Sequence, residues 1–272
     1  MLPHRALGGI LGKDGMWGGV ALEAAPIIET KNIKKIYRVG SVDIHALRGV
    51  DLTIRSGEIC CIVGRSGSGK STLLNVLAGL EHVSGGEIVV SGERLDRMTQ
   101  GELIVFRQKH VGFVFQSFNL MPYYTALENV AFPLAFKGVP RRKREKIAKK
   151  TLTELGLETH LKHKPAQMSG GQQQRVGIAR ALVGNPDIVF ADEPTGNLDS
   201  ATSDEVMKSI CAVMRERKKT LVMVTHDRNM AAYADRIISL LDGKVMDITI
   251  NDHSNDEYCT QESKPDTEGM HE

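Results

Sequence analysis

Glu58-Ile59-Cys60-Cys61-Ile62-Val63, followed directly by Gly64-Arg65-Ser66-Gly67-Ser68-Gly69-Lys70-Ser71, decides how the rest of the chain is read. The first segment is an apolar run rich in β-formers, the pattern of a buried strand. The second fits G-x-x-x-x-G-K-[ST], the phosphate-binding loop. Ser71-Thr72-Leu73-Leu74-Asn75-Val76-Leu77-Ala78 then reads as a helix. Strand, glycine loop and helix together are what phosphate binding needs. Glycines let successive backbone N–H groups curl around a phosphate chain. The helix start adds unpaired N–H groups and partial positive charge. On this reading Lys70 reaches the β- and γ-phosphates, and the Ser71 hydroxyl binds Mg²⁺. A glycine turn before a purely structural helix is the plainer explanation, but the flanking strand and helix argue against it.

Working outward, composition is that of an ordinary globular α/β chain, with a net charge of only +2 that gives no reason to expect nucleic acid as a partner. No apolar run approaches the ~18 residues of a membrane span. Cys60, Cys61, Cys211 and Cys259 form no C-x-x-C pair and read as reduced thiols. Residues 1–26 are glycine-rich and aperiodic, a poor signal peptide and an expected disordered extension. Strands are expected at Ile33–Arg38, Ile44–Ile54, Glu87–Val90 and Val111–Phe115. Helical patterns dominate from about 117 to 181. Strands return at Asp187–Ala191, Thr220–Thr225 and Arg236–Leu240, with a helix over Ala201–Arg217 between the first two. Fully apolar strands alternating with helices predict a parallel sheet covered on both faces. From Asp247 to Glu272 the chain is acidic and polar and reads as a flexible tail.

Two further segments carry chemistry. Ile188-Val189-Phe190-Ala191-Asp192-Glu193 is an apolar strand ending in two carboxylates. Beside a phosphate loop, such an Asp holds Mg²⁺ and the adjacent Glu can polarise an attacking water. Gln167-Met168-Ser169-Gly170-Gly171-Gln172-Gln173-Gln174-Arg175 places Ser-Gly-Gly at a helix start, a second anion-type N-terminus. Two such starts could serve two phosphates, or one phosphate gripped by two chains, and the motif alone leaves both open.

This last segment resembles the signature motif of ATP-binding-cassette (ABC) ATPases, with Met168 where leucine is commoner. Its partners stand in the family's order. Tyr37 matches the adenine-stacking aromatic, Gln116 the Q-loop glutamine, and Asp192 and Glu193 the Walker B aspartate and catalytic glutamate. Asn197-Leu198-Asp199 matches the D-loop, and His226 the switch histidine. The likeness covers about residues 27–246. It implies a RecA-like P-loop NTPase core with an antiparallel β subdomain and an inserted α-helical subdomain. It also implies ATP and Mg²⁺ as ligands. Tyr37, Gly64, Arg65, Ser66, Gly67, Ser68, Gly69, Lys70, Ser71 and Thr72 would hold ATP from one copy. Ser169, Gly170, Gly171, Gln172 and Asp199 would hold it from a second copy in a head-to-tail homodimer. Ser71, Gln116 and Asp192 would bind the metal, and Glu193, His226, Lys70 and Gln116 would carry the hydrolysis.

Asp192-Glu193-Pro194-Thr195-Gly196-Asn197-Leu198-Asp199, with Gly112-Phe113-Val114-Phe115-Gln116-Ser117-Phe118-Asn119-Leu120, resembles the group serving macrolide-type efflux, lipoprotein release and antimicrobial-peptide resistance. Importers of polar amino acids usually carry Ser-Ala-Leu-Asp where this chain has Gly196-Asn197-Leu198-Asp199. The resemblance therefore implies an ATPase on the cytoplasmic face of a membrane, driving a separate permease. Competing expectations are an ATPase that signals through a non-transporting membrane partner, a polar-solute importer ATPase, and a soluble ABC ATPase. Phe118, Leu120, Tyr123 and Tyr124 would receive the permease or pack the helical insert. Arg141-Arg142-Lys143-Arg144 reads as a solvated helix face. His45, His82, His110, His160 and His163 show no metal-ligand spacing.

Overall fold

The computed structural model describes residues 25–251. Most of the expected N-terminal extension, most of the expected acidic tail and Cys259 lie outside the described residues. Two long strands, β1 (Pro26–Val39) and β2 (Val42–Arg55), come first, then β3 (Ile59–Val63) and helix α1 (Lys70–Leu77). β4 (Gly85–Val90), β5 (Glu93–Arg94), α2 (Gln100–His110) and β6 (Val111–Val114) follow. Three helices, α3 (Ala126–Phe136), α4 (Arg141–Glu154) and α5 (Gly170–Leu182), form the helical insert. The chain returns to the core with β7 (Ile188–Asp192), α6 (Ser200–Glu216), β8 (Thr220–Thr225), α7 (Arg228–Ala231), β9 (Arg236–Leu241) and β10 (Lys244–Ile250).

These strands make two sheets. One is antiparallel, in the order β2-β1-β4-β5; the other runs β10-β9-β3-β8-β7-β6 and is parallel except at β10. Side-chain alternation explains how the second sheet is buried. Successive residues of a strand face opposite ways. Cys60, Ile62, Phe190, Val222 and Val224 therefore face one core, shared with α1 and with Ile28, Ile33 and Leu47 of the antiparallel sheet. Their neighbours Ile59, Cys61, Val189, Ala191, Leu221 and Met223 face the other, shared with α5 and α6. All eleven are 0% exposed, which is why these strands read as unbroken apolar runs. Phe190 is the bulkiest of them, and truncating such a side chain to Ala costs about 3–5 kcal/mol. Burial pushes the Cys60 thiol well up and Cys61 up to about 12, so neither is a reactive thiolate.

Three features differ from the sequence reading. The segment 117–125 is an irregular loop, and the helices begin only at Ala126. Buried Asn129 holds that loop, donating to the carbonyls of Met121, Tyr124 and Thr125 and accepting from Met121 N–H at 2.8 Å. α2 had no counterpart in the sequence reading, although Thr99 and Glu102 form a complete capping box at its start. Finally, β10 continues to Ile250, past the boundary set at 246. Asp247–Ile250 pair with β9 because an edge strand can place polar and acidic side chains in water without losing its backbone ladder. Among the described residues no helix is long and apolar enough to cross a membrane.

Candidate nucleotide site

β3 ends at Val63, and the chain turns through Gly64–Gly69 into α1. Three glycines have separate reasons to be there. A Cβ on Gly64 would lie 2.3 Å from Leu240 O, and one on Gly69 would lie 2.6 Å from Ala46 O. Gly67 and Gly69 adopt φ of +78° and +98°, open to glycine and strained for other residues. Gly69 occupies the N-cap of α1 and gives no side-chain cap, so the helix start presents bare N–H groups. Lys70 is 8% exposed, with Nζ donating to Gly64 O and Arg65 O at 2.9 Å each. Its ammonium thus sits inside the loop's curve. A cleft of about 690 Å³ opens over the loop, lined by Ser66, Gly67, Gly69, Lys70, Ser71 and Thr72 together with Ile44, His45, Ala46, Glu193 and His226.

Three strand ends converge there. β7 lies beside β8, and Asp192 pairs in register with Val224. Ser71 Oγ donates to Asp192 Oδ1 at 3.3 Å, across 121 positions of sequence. Partial burial raises the Asp192 pKa, and the charge of Glu193 raises it further against the lowering influence of Ser71 and Lys70. Glu193 has φ of +45°, and its N–H is held by Val224 O at 3.0 Å. A non-glycine residue kept in the left-handed region is strained, and such strain concentrates at functional sites. His226, just past β8, donates from Nδ1 to Glu193 Oε1 at 3.0 Å. Gln116 and Glu193 both approach Gly196, where a Cβ would lie 2.9 Å from Gln116 Nε2 and 3.1 Å from Glu193 Oε2. Asn197 Nδ2 donates to Gln116 O at 3.0 Å. Gln116 is thereby tied to the loop after β7, and no hydrogen bond among the described residues joins it to Ser71 or Asp192.

Tyr37 lies beside this cleft without lining it. It pairs across the hairpin with Ile44, its hydroxyl donates to Glu81 Oε2 at 2.6 Å, and Lys35 Nζ stands 5.0 Å from its ring centroid. Burial and Glu81 raise the Tyr37 pKa. The Ser169 group is also absent from the cleft lining. Ser169 caps α5, with Gly170 and Gly171 packed on Leu198 and Thr202. Asp199 caps α6, accepting from Thr202 N–H at 3.0 Å and Thr202 Oγ1–H at 2.7 Å, which lowers its pKa. Within one chain, then, Ser169, Gly170, Gly171, Gln172 and Asp199 form a second cluster apart from the loop at Gly64–Ser71.

Sequence reasoning missed the residues that join these parts. Arg180 of α5 donates to the carbonyls of Phe118, at 2.8 Å, and Asn119, and both acceptor residues have positive φ. Fully buried Gln174 reaches Phe115 O at 3.5 Å. A polar side chain on the inward face of a helix is the signal that could have found Gln174.

Fold and cleft together define a P-loop nucleotide hydrolase. Comparison with known proteins narrows this: residues 47–196 match the ABC transporter family. The chain is 44% identical over 246 residues to the macrolide export ATP-binding/permease protein MacB of Pasteurella multocida, covering 90% of this chain and 38% of that protein. It is 45% identical over 220 residues to the lipoprotein-releasing system ATP-binding protein LolD of Geobacter metallireducens, covering 81% and 98% respectively. A solved dimeric, post-hydrolysis structure of the ATP-binding cassette MJ0796 with ADP and Pi superposes with a TM-score of 0.75 at 44% identity, covering 82% of this chain and 98% of that one. The chain belongs to the ABC transporter ATP-binding family, whose members are ATPases.

Proposed function

We propose that this chain hydrolyses ATP to power a membrane permease, in export or extraction of the macrolide, peptide or lipoprotein kind. The observation that carries the reading is that Ser71, bonded to Asp192, and the Glu193–His226 pair line the same P-loop cleft. The names of the MacB and LolD relatives support the direction of transport. The chain would sit peripherally, on the cytoplasmic face, through its permease.

In this reading the triphosphate lies along Gly64–Thr72, where backbone N–H groups and the Lys70 ammonium balance its charge. Tyr37, beside Thr72, stacks on the base. The Ser71 hydroxyl and the half-buried Asp192 carboxylate are hard oxygen donors within reach of each other, a set that fits Mg²⁺, with Gln116 as the third donor. When bound, the ion neutralises phosphate charge. Glu193 accepts a proton from the attacking water as the new P–O bond forms and the bond to the ADP oxygen breaks. His226 holds the Glu193 carboxylate through Nδ1 and presents the rest of its ring to the γ-phosphate. The other wall is Ser169, Gly170, Gly171, Gln172 and Asp199 of a second copy. Two copies related by a two-fold axis would complete two sites at once, and the dimeric MJ0796 cassette is consistent with that arrangement.

The test is Glu193→Gln. It should retain ATP binding, lose hydrolysis about 100-fold or more, and accumulate as an ATP-bound dimer. Wild-type turnover by this variant would remove Glu193 from the role.

A further inference from the structure

We infer that His160 is a positioning residue for Ser169, acting through the side-chain amide of Gln172. This rests on the reading of Ser169 as a ligand of the partner copy's ATP.

The argument begins with the orientation of one amide. Ser169 N–H donates to Gln172 Oε1 at 3.0 Å. A backbone N–H can only donate, so the Gln172 oxygen must face it and the NH₂ must point away. There Gln172 Nε2 lies 3.1 Å from His160 Nε2. An amide nitrogen also only donates, so His160 Nε2 must accept. The imidazole hydrogen is then on Nδ1, where Thr159 Oγ1 stands 2.9 Å away to accept it. One tautomer satisfies every member of the chain: Ser169 N–H to Gln172, Gln172 to His160, His160 to Thr159. Bonds aligned in one direction polarise and strengthen one another.

The histidine is itself anchored. His160 N–H donates to Leu157 O, His163 N–H donates to His160 O, each at 3.0 Å, and the two rings are 5.0 Å apart. Ser169 is exposed and has no comparable packing. Its hydroxyl accepts Gln172 N–H at 3.3 Å, which leaves its own O–H free to donate to an anion. The capping box is what aims that O–H, and His160 fixes the rotamer of the glutamine that closes the box. A side chain without an acceptor at position 160 would release the Gln172 amide, and Ser169 would meet the phosphate from a spread of orientations.

The experiment uses the full chain and three substitutions. His160→Leu removes the acceptor, His160→Gln replaces it with an amide oxygen, and Gln172→Leu removes the amide that links His160 to Ser169. Steady-state ATP hydrolysis, ATP-driven dimerisation and nucleotide affinity of the monomer are measured for each. His160→Leu should lower kcat about three- to tenfold, the effect of one lost hydrogen bond, with monomer nucleotide affinity unchanged. His160→Gln should restore kcat. Added to Gln172→Leu, His160→Leu should have no further effect. Wild-type kcat in His160→Leu, failure of His160→Gln to rescue, or additive losses in the double variant would each overturn the inference. Ser169→Ala separates the two levels. If it leaves kcat and dimerisation intact, the reading of Ser169 is wrong; if it lowers them while His160→Leu keeps wild-type kcat, only the role of His160 is wrong.

Discussion

Helices α1 and α5 both begin at serine- and glycine-rich turns, and they begin differently. α1 starts at Gly69, in a left-handed conformation, with no side-chain cap. α5 starts at Ser169 with both halves of a capping box in place. The first leaves its N–H groups unfilled inside a cleft, beside a buried lysine. In the second, the box satisfies the N–H groups of Ser169 and Gln172, and the serine lies exposed. A helix start of the first kind is ready for an anion, and one of the second kind is stable without one. We read this as a division of labour: the P-loop binds nucleotide in a single copy, and the α5 start engages only when a second copy brings it to an already bound phosphate.

The largest effect that would break the comparison is at the open start. Lys70→Ala should weaken ATP binding about tenfold to a hundredfold, the scale of losing charge-assisted hydrogen bonds, in a nucleotide titration at concentrations where the chain is monomeric. Unchanged affinity would mean that the cleft is not the primary nucleotide site. At the capped start, Ser169→Ala should leave that monomer affinity intact while lowering ATP-driven dimerisation. It should also cost about 1 kcal/mol of stability, the usual price of a lost N-cap, read as a lower denaturant midpoint. Loss of monomer ATP binding in Ser169→Ala would place the α5 start in the same site as the P-loop.

The smallest effect concerns Asp192. Burial and Glu193 raise its pKa in the fold, so the fold favours the protonated carboxyl. Its contribution is therefore present below the unfolded-state pKa and is lost as pH rises through the folded-state pKa. At neutral pH the free chain carries an unfavourable charge there. Asp192→Asn should give a modest rise in Tm without nucleotide at pH 7, a smaller one at acidic pH, and no added stabilisation from Mg²⁺ with ATP. A fall in Tm at neutral pH would show that the carboxylate is already compensated within the chain.

Much of the fold was legible because its signals are local. β3, β7 and β8 announce themselves as apolar runs, and the glycines at 64, 67 and 69 mark the turn between β3 and α1. α2 escaped because its inward face carries only Leu103, Phe106 and His110, too few to set a period. The last four residues of β10 read as tail because an exposed edge strand has little apolar pattern. In the site, the residue types at 71, 192, 193 and 226 were readable from their motifs. The Ser71–Asp192 contact and the pairing of Glu193 with His226 depend on parallel register between distant strands, which no local pattern states. Ser169-x-x-Gln172 is a capping-box pattern in plain view. Reading it only as an anion site hid the fact that the free chain already occupies the N–H groups of Ser169 and Gln172.

The central claim is that each ATP is held by the P-loop of one copy and the Ser169 cluster of another. Mixing Lys70→Ala chains with Ser169→Ala chains tests it most directly. A mixed dimer would carry both defects in one site and none in the other. The account predicts that the mixture hydrolyses ATP well above the sum of the two variants measured alone. Activity equal to that sum across the full range of mixing ratios, with mixed dimers verified by differential tagging, would contradict it.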